Sequence, residues 1–60
     1  MSEVEAKVIE ALRAEPSGAA ALLIAKKAGV TLMEAVRTLE DLASRGVVEK
    51  RGKTYRLVKA

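Results

Sequence analysis

Apolar residues recur every three to four positions along three stretches of the chain, which is the spacing of one face of an α-helix. The pattern predicts helices over residues 3–15, 20–28 and 32–45. A residue that stops helices stands at or beside the end of each stretch, and these are Pro16, Gly29 and Gly46. The chain therefore begins as three short helices.

The starts of two of these helices carry capping signals. Ser2 with Glu5, and Thr31 with Glu34, have the spacing of a capping box, in which each side chain bonds to the other residue's backbone N–H. Only two residues separate Gly29 from the third helix. The second and third helices are therefore predicted to be joined by a tight turn.

The third helix is predicted to place one apolar face on the core. That face comprises Leu32, Ala35, Val36, Leu39, Leu42 and Ala43. In the second helix the core face comprises Ala21, Ile24, Ala25 and Ala28. Leu22 and Leu23 then lie partly outside the core. Either the helix is rotated so that one leucine packs on the first helix, or the two form an apolar patch that buries against another chain.

A β-hairpin is predicted over residues 47–58. The β-prone runs VVEKR and TYRLV are joined by Gly52-Lys53, and glycine at the first turn position suits a type II′ turn. This register pairs Lys50 with Tyr55 and places Glu49 opposite Arg56 as a cross-strand charge pair. Tyr55 is expected in the core, together with Val48 and Leu57, rather than as a platform for stacked bases.

Composition excludes several kinds of site. The chain contains no cysteine and no histidine, and its eight acidic residues are spread along the chain, so no disulfide, metal site or cofactor is expected. No paired carboxylates, phosphate loop or activated serine are present, so an enzyme is not expected either. No apolar run is long enough to span a membrane and no signal peptide is evident, so a cytoplasmic protein is expected. The lack of Asn, Gln, Cys, Phe and Trp suits a heat-adapted or designed sequence.

Positive charge is concentrated at the C-terminal end. The first 45 residues carry six basic and seven acidic side chains, whereas the last fifteen carry five basic residues and Glu49 alone. The formal net charge of +3 therefore comes from the predicted hairpin and the residues beside it.

The order helix, helix, tight turn, helix, hairpin resembles the winged helix-turn-helix family over almost the full length. IAKKAGVT (24–31) resembles the second helix and turn, LMEAVRTLEDLASRGVVEK (32–50) the recognition helix entering the first wing strand, and GKTYRLV (52–58) the wing tip and return strand. The resemblance implies an α+β fold in which a three-helix bundle carries a C-terminal β-hairpin, as one domain over residues 1–60. The alternative is a helical pair with an unrelated hairpin.

The resemblance also implies binding to nucleic acid, with double-stranded DNA expected first and RNA as an alternative. The third helix would enter the major groove and the wing would contact the backbone or minor groove. Carried onto this chain, the contact residues are Lys26, Lys27, Thr31, Met33, Glu34, Arg37, Thr38, Lys50, Arg51, Lys53 and Arg56. The protein would act as a transcriptional regulator or chromatin-associated factor, nucleoid-associated in a prokaryote.

Two features differ from those of a protein that recognises a specific DNA sequence. The predicted reading helix holds three acidic residues against Arg37 and Arg45, and the chain has no Asn or Gln to read adenine. Weak or shape-directed binding is therefore expected. The alternatives are that Arg37 pairs with Glu34 and Asp41, and that the hairpin cations only protect a strand edge. The same fold would also serve as a protein-interaction module or homodimer, with Leu22 and Leu23 in the interface.

Overall fold

The computed structural model describes residues 2–59, which form three helices and a three-stranded antiparallel sheet. The elements are α1 (Glu3–Arg13), β1 (Ala19–Ala20), α2 (Ala21–Ala28), α3 (Leu32–Ser44), β2 (Val48–Arg51) and β3 (Thr54–Leu57). This α+β layout confirms the predicted fold class and is consistent with a winged helix. The predicted ends of the helices and of the hairpin differ from the observed ones by one or two residues.

The capping signals are confirmed at α3 and half confirmed at α1. The Thr31 hydroxyl accepts the Glu34 N–H at 3.0 Å, and the Glu34 carboxylate accepts the Thr31 N–H at 2.9 Å. At α1 the Ser2 hydroxyl accepts the Glu5 N–H at 3.1 Å. The Glu5 carboxylate instead binds Arg45 at 3.0 Å, because the end of α3 lies beside the start of α1. Tertiary packing therefore replaced one of the two hydrogen bonds of the predicted α1 capping box with an ion pair to Arg45.

The hairpin has the predicted register. Strands β2 and β3 pair Val48 with Leu57, Glu49 with Arg56, Lys50 with Tyr55 and Arg51 with Thr54. Gly52 has a φ of 57°, and Lys53, like every non-glycine residue within 2–59, has no positive φ, as a type II′ turn requires. The Arg56 guanidinium donates to Glu49 at 2.6 Å, so the cross-strand charge pair is confirmed.

Strand β1 was not predicted. It pairs with β3, with Ala19 opposite Tyr55 and Ala20 opposite Thr54, so β3 is the central strand. The predicted helix start at residue 20 is therefore wrong by one residue. Gly18 precedes β1 with a φ of 94°, and a Cβ at this position would lie 3.0 Å from the Tyr55 carbonyl oxygen. The pairing of β1 with β3 thus depends on a residue without a side chain at position 18.

The core lies between the three helices and the inner face of the sheet. Its largest fully buried side chains are Val8, Leu12, Ile24, Leu39 and Leu42. Tyr55 is buried, which confirms it as a core residue. The predicted core face of α3 is wrong at Leu32 and Val36, which lie on the solvent side of the helix. Ala35, which lies between them in sequence, is fully buried with Leu39 and Leu42, so Leu32 and Val36 lie at the flank of the buried face.

Candidate nucleic-acid interface

Two of the three carboxylates of α3 are held by bonds at the ends of the helix. Glu34 closes the capping box with the Thr31 backbone, and Asp41 binds Arg45 at 3.0 Å. Arg37 lies between them in sequence, yet no carboxylate among residues 2–59 lies within 4.0 Å of its guanidinium. The alternative in which Arg37 pairs with Glu34 and Asp41 is therefore wrong.

The third carboxylate, Glu40, turns toward the hairpin. One of its oxygens accepts the Tyr55 hydroxyl at 2.6 Å and the Lys50 ammonium at 3.1 Å. These hydrogen bonds, that of Tyr55 first, lower the pKa of Glu40, and the Glu40 carboxylate raises the pKa of Lys50. Burial and then the bond to Glu40 raise the pKa of Tyr55. Lys50 also lies over the Tyr55 ring, 5.6 Å from its centroid. Lys50 therefore links the hairpin to α3.

Three further predicted contact residues are also engaged in ion pairs. Glu49 binds Arg56 at 2.6 Å and Arg51 at 3.5 Å, and its pKa is lowered, chiefly by the hydrogen bond from Arg56. Lys27 binds Glu15 at 3.1 Å. All these groups reach solvent, and exposed ion pairs add little to stability. A phosphate can therefore replace the carboxylate, although Arg56, in the shorter pair, is held more closely than Arg51.

Three cations of the predicted site have no ion-pair partner in the described part of the chain. Lys26 lies on the exposed side of α2, Arg37 on the exposed side of α3, and Lys53 at the tip of the hairpin. These three side chains, with the loosely paired Arg51, are the cations most available to an anionic ligand.

The uncharged members of the predicted site lie on or beside the exposed side of α3. Thr31 and Met33 are exposed and Thr38 is half-buried. The Thr31 oxygen is occupied as an acceptor by the helix cap, but its hydroxyl hydrogen can still be donated. Leu32 and Val36 belong to the same exposed region, although they were predicted to be in the core.

A polar recess on the outer face of the sheet adds a residue that the sequence did not indicate. The recess has a volume of about 280 Å³ and is lined by Ser17, Arg51, Thr54 and Arg56. Ser17 precedes β1, and its place beside the arginines follows from the pairing of β1 with β3. A two-residue alanine strand shows no alternation of apolar and polar positions, so no sequence signal indicated this proximity.

The exposed side of α2 combines two leucines with two lysines. Leu22 is 53% exposed and Leu23 is 42% exposed, so neither is buried against α1, as the first alternative required. Lys26 and Lys27 follow one helical turn later. The surface is therefore both apolar and cationic.

Comparison with protein-family models found no model that matches this chain, and comparisons with curated proteins and solved structures found no match either. No helix within residues 2–59 has the length and apolar character needed to cross a membrane. The same residues contain no group of three or more acidic side chains placed to hold a metal ion.

Proposed function

We propose that this chain is a winged helix-turn-helix domain that binds double-stranded DNA, as a regulator or chromatin-associated factor without catalysis. Its place of action would be the cytoplasm, on the nucleoid in a prokaryote. The observation that carries the proposal is the arrangement of the acids of α3. Glu40 and Asp41 are paired with Lys50 and Arg45, Glu34 is bound in the α3 cap, and Arg37, unpaired among residues 2–59, remains on the exposed face. The repulsion expected between this helix and phosphate is thereby reduced.

Affinity would come mainly from phosphate contacts. Lys26, Arg37, Arg51 and Lys53 are the available cations, so a single copy would make about four contacts, and the logarithm of its affinity would fall with log salt with a slope of about 3–4. Lys50 and Arg56 contribute less because Glu40 and Glu49 hold them. Binding would be weak or directed by DNA shape, since few polar groups face the bases.

The test compares lysines of equal charge at different places. Lys53→Ala should weaken duplex binding and reduce the salt slope by about one, because one phosphate contact is lost. Lys7→Ala is the matched control, since Lys7 is also exposed and unpaired among residues 2–59 but lies in the shallow groove between α1 and α2. Both are measured by fluorescence anisotropy over a salt series.

The double variant Arg51→Ala/Lys53→Ala should abolish retention on duplex DNA at moderate salt. Lys50 is kept in this variant because its loss would disturb the contact with Tyr55 and Glu40. A far-ultraviolet circular dichroism spectrum and a melting temperature confirm that the fold is retained. Retention equal to that of the wild type would refute the proposal.

Duplex RNA is the weaker alternative. The deep, narrow major groove of an A-form helix does not admit an α-helix, so α3 could not insert as it would in DNA. Competition between DNA and RNA duplexes of the same sequence separates the two ligands, and preferential displacement by RNA would favour the alternative.

A protein-interaction module is the second candidate function, and the exposure of Leu22 and Leu23 favours it. Pairing two copies through α2 would collect four lysines in one interface. A partner with acidic side chains around an apolar centre would therefore fit better than a second copy. The test of this candidate is whether Leu23→Glu dissociates a complex, either with such a partner or with a second copy.

A further inference from the structure

The exposed face of α3 carries a contiguous apolar patch beside one cation. Leu32, Met33 and Val36 are 49, 66 and 36% exposed. Val36 follows Leu32 by four residues and Met33 by three, so the three side chains adjoin on the helix surface. Arg37 lies one turn after Met33. Adjoining exposed apolar side chains mark an interaction surface more strongly than single ones do.

The chemistry of these side chains limits what they can recognise in a major groove. None of the three donates or accepts a strong hydrogen bond, so the polar base edges would go unread by them. The C5-methyl group of thymine is the apolar feature that a major groove of unmodified DNA presents. Glu34, the acid nearest the patch in sequence, is held at the start of α3, because one of its oxygens accepts the Thr31 N–H.

We propose that the patch of Leu32, Met33 and Val36 recognises thymine methyl groups, so that α3 favours thymine-rich duplex DNA. This proposal rests on the DNA-binding function proposed above. Arg37 supplies charge at the edge of the patch, where it can bind a phosphate or a guanine. The wing holds the backbone, and the apolar contacts supply the preference among sequences.

The test uses two duplexes that differ only in these methyl groups. One contains thymine, and the other contains deoxyuridine at every thymine position, so base pairing and charge are unchanged. Each methyl contact that is lost should weaken binding by about fourfold. Dissociation constants are measured by fluorescence anisotropy at one low salt concentration.

Variants of the patch distinguish methyl contacts from a difference in DNA shape. Met33→Ala and Val36→Ala should bring the ratio of the two dissociation constants toward one, and Met33→Leu should preserve it. Both residues are exposed, so the fold should tolerate these changes, and a melting temperature checks this. Lys53→Ala should weaken binding to both duplexes by the same factor and leave the ratio unchanged.

Each other outcome overturns the proposal in a recognisable way. Equal affinity for the two duplexes would refute methyl recognition while leaving DNA binding intact. A ratio that persists in Met33→Ala and Val36→Ala would assign the preference to DNA shape. Failure to bind either duplex at low salt would refute the DNA-binding function itself, and the patch would then belong to a protein partner.

Discussion

Single side chains determine which charges of this protein are available to a ligand. Glu40 shows this most clearly, because one of its oxygens accepts both the Tyr55 hydroxyl and the Lys50 ammonium. Lys50 is thereby less available to contact a phosphate, although its position in the sequence suggests such a contact. Lys53, three residues later, is left exposed and unpaired in the described part of the chain.

The lowered pKa of Glu40 predicts that the stability of the fold depends on pH in the acidic range. A carboxyl group whose pKa is lower in the folded state stabilises the fold above its unfolded pKa, near the ordinary value of 4.5. That stabilisation is lost as the pH falls from about 4.5 through the lowered value. Glu40→Gln should therefore be less stable than the wild type at pH 7 and should lose less stability on acidification.

Urea unfolding at pH 7, 5 and 3 measures this difference. Glu3→Gln is the matched control, because Glu3 forms no ion pair within residues 2–59 and the same charge is removed. The interpretation fails if Glu40→Gln and Glu3→Gln have the same pH dependence.

At the scale of elements, the central strand β3 pairs with β2 on one side and with β1, the strand directly before α2, on the other. β1 contributes only Ala19 and Ala20, yet its pairing brings Ser17 beside the arginines of the sheet. The approach of the two backbones requires Gly18, where a side chain would meet the Tyr55 carbonyl. The position of the hairpin therefore depends on a residue outside the hairpin.

Gly18→Ala should destabilise the protein more than Gly29→Ala does. Both glycines have a positive φ, which costs an alanine about 1–2 kcal/mol. Gly29 has no atom within 4 Å of the added Cβ, whereas at Gly18 the added Cβ would lie 3.0 Å from a backbone oxygen and adds about 1–3 kcal/mol of steric cost. Thermal unfolding of the two variants measures the difference, and equal losses would contradict the close approach.

At the scale of the whole molecule, most of the acidic side chains are bound within the protein itself. Ion pairs or the α3 cap bind seven of the eight acids within residues 2–59. Three cations of the predicted site stay unpaired in this part of the chain: Lys26 on α2, Arg37 on α3 and Lys53 in the hairpin turn. The unpaired positive charge thus lies on the helices as well as on the hairpin.

The exposed leucines of α2 lead to a prediction about association with another protein chain. If α2 is an interface, Leu23→Glu should dissociate a dimer or a partner complex, because a carboxylate would be buried among apolar groups. Arg13→Glu on α1 is a control that introduces the same residue away from α2. Analytical ultracentrifugation measures the oligomeric state, and wild-type protein that sediments as a monomer would contradict self-association through these leucines.

Much of the fold could be predicted because its signals are local. The Thr31 cap, the Gly52 turn and the register that places Lys50 opposite Tyr55 each depend on residues close in sequence. β1 could not be predicted, since two alanines carry no periodic pattern. Leu32 and Val36 were misplaced because periodicity indicates which residues share a face but not how wide the buried part of that face is, and Ala35 between them is buried.

By itself, the sequence determined the three helices, the hairpin with its register, and the excess of basic residues near the C-terminus. Those properties arise from short-range capping, turn geometry and charge count. Only the tertiary structure decided which charges remain available, because Glu5, Glu15 and Glu40 find their partners on other elements. It likewise decided that an apolar patch beside Arg37 stays exposed on α3, since that depends on how three helices and a sheet enclose one small core.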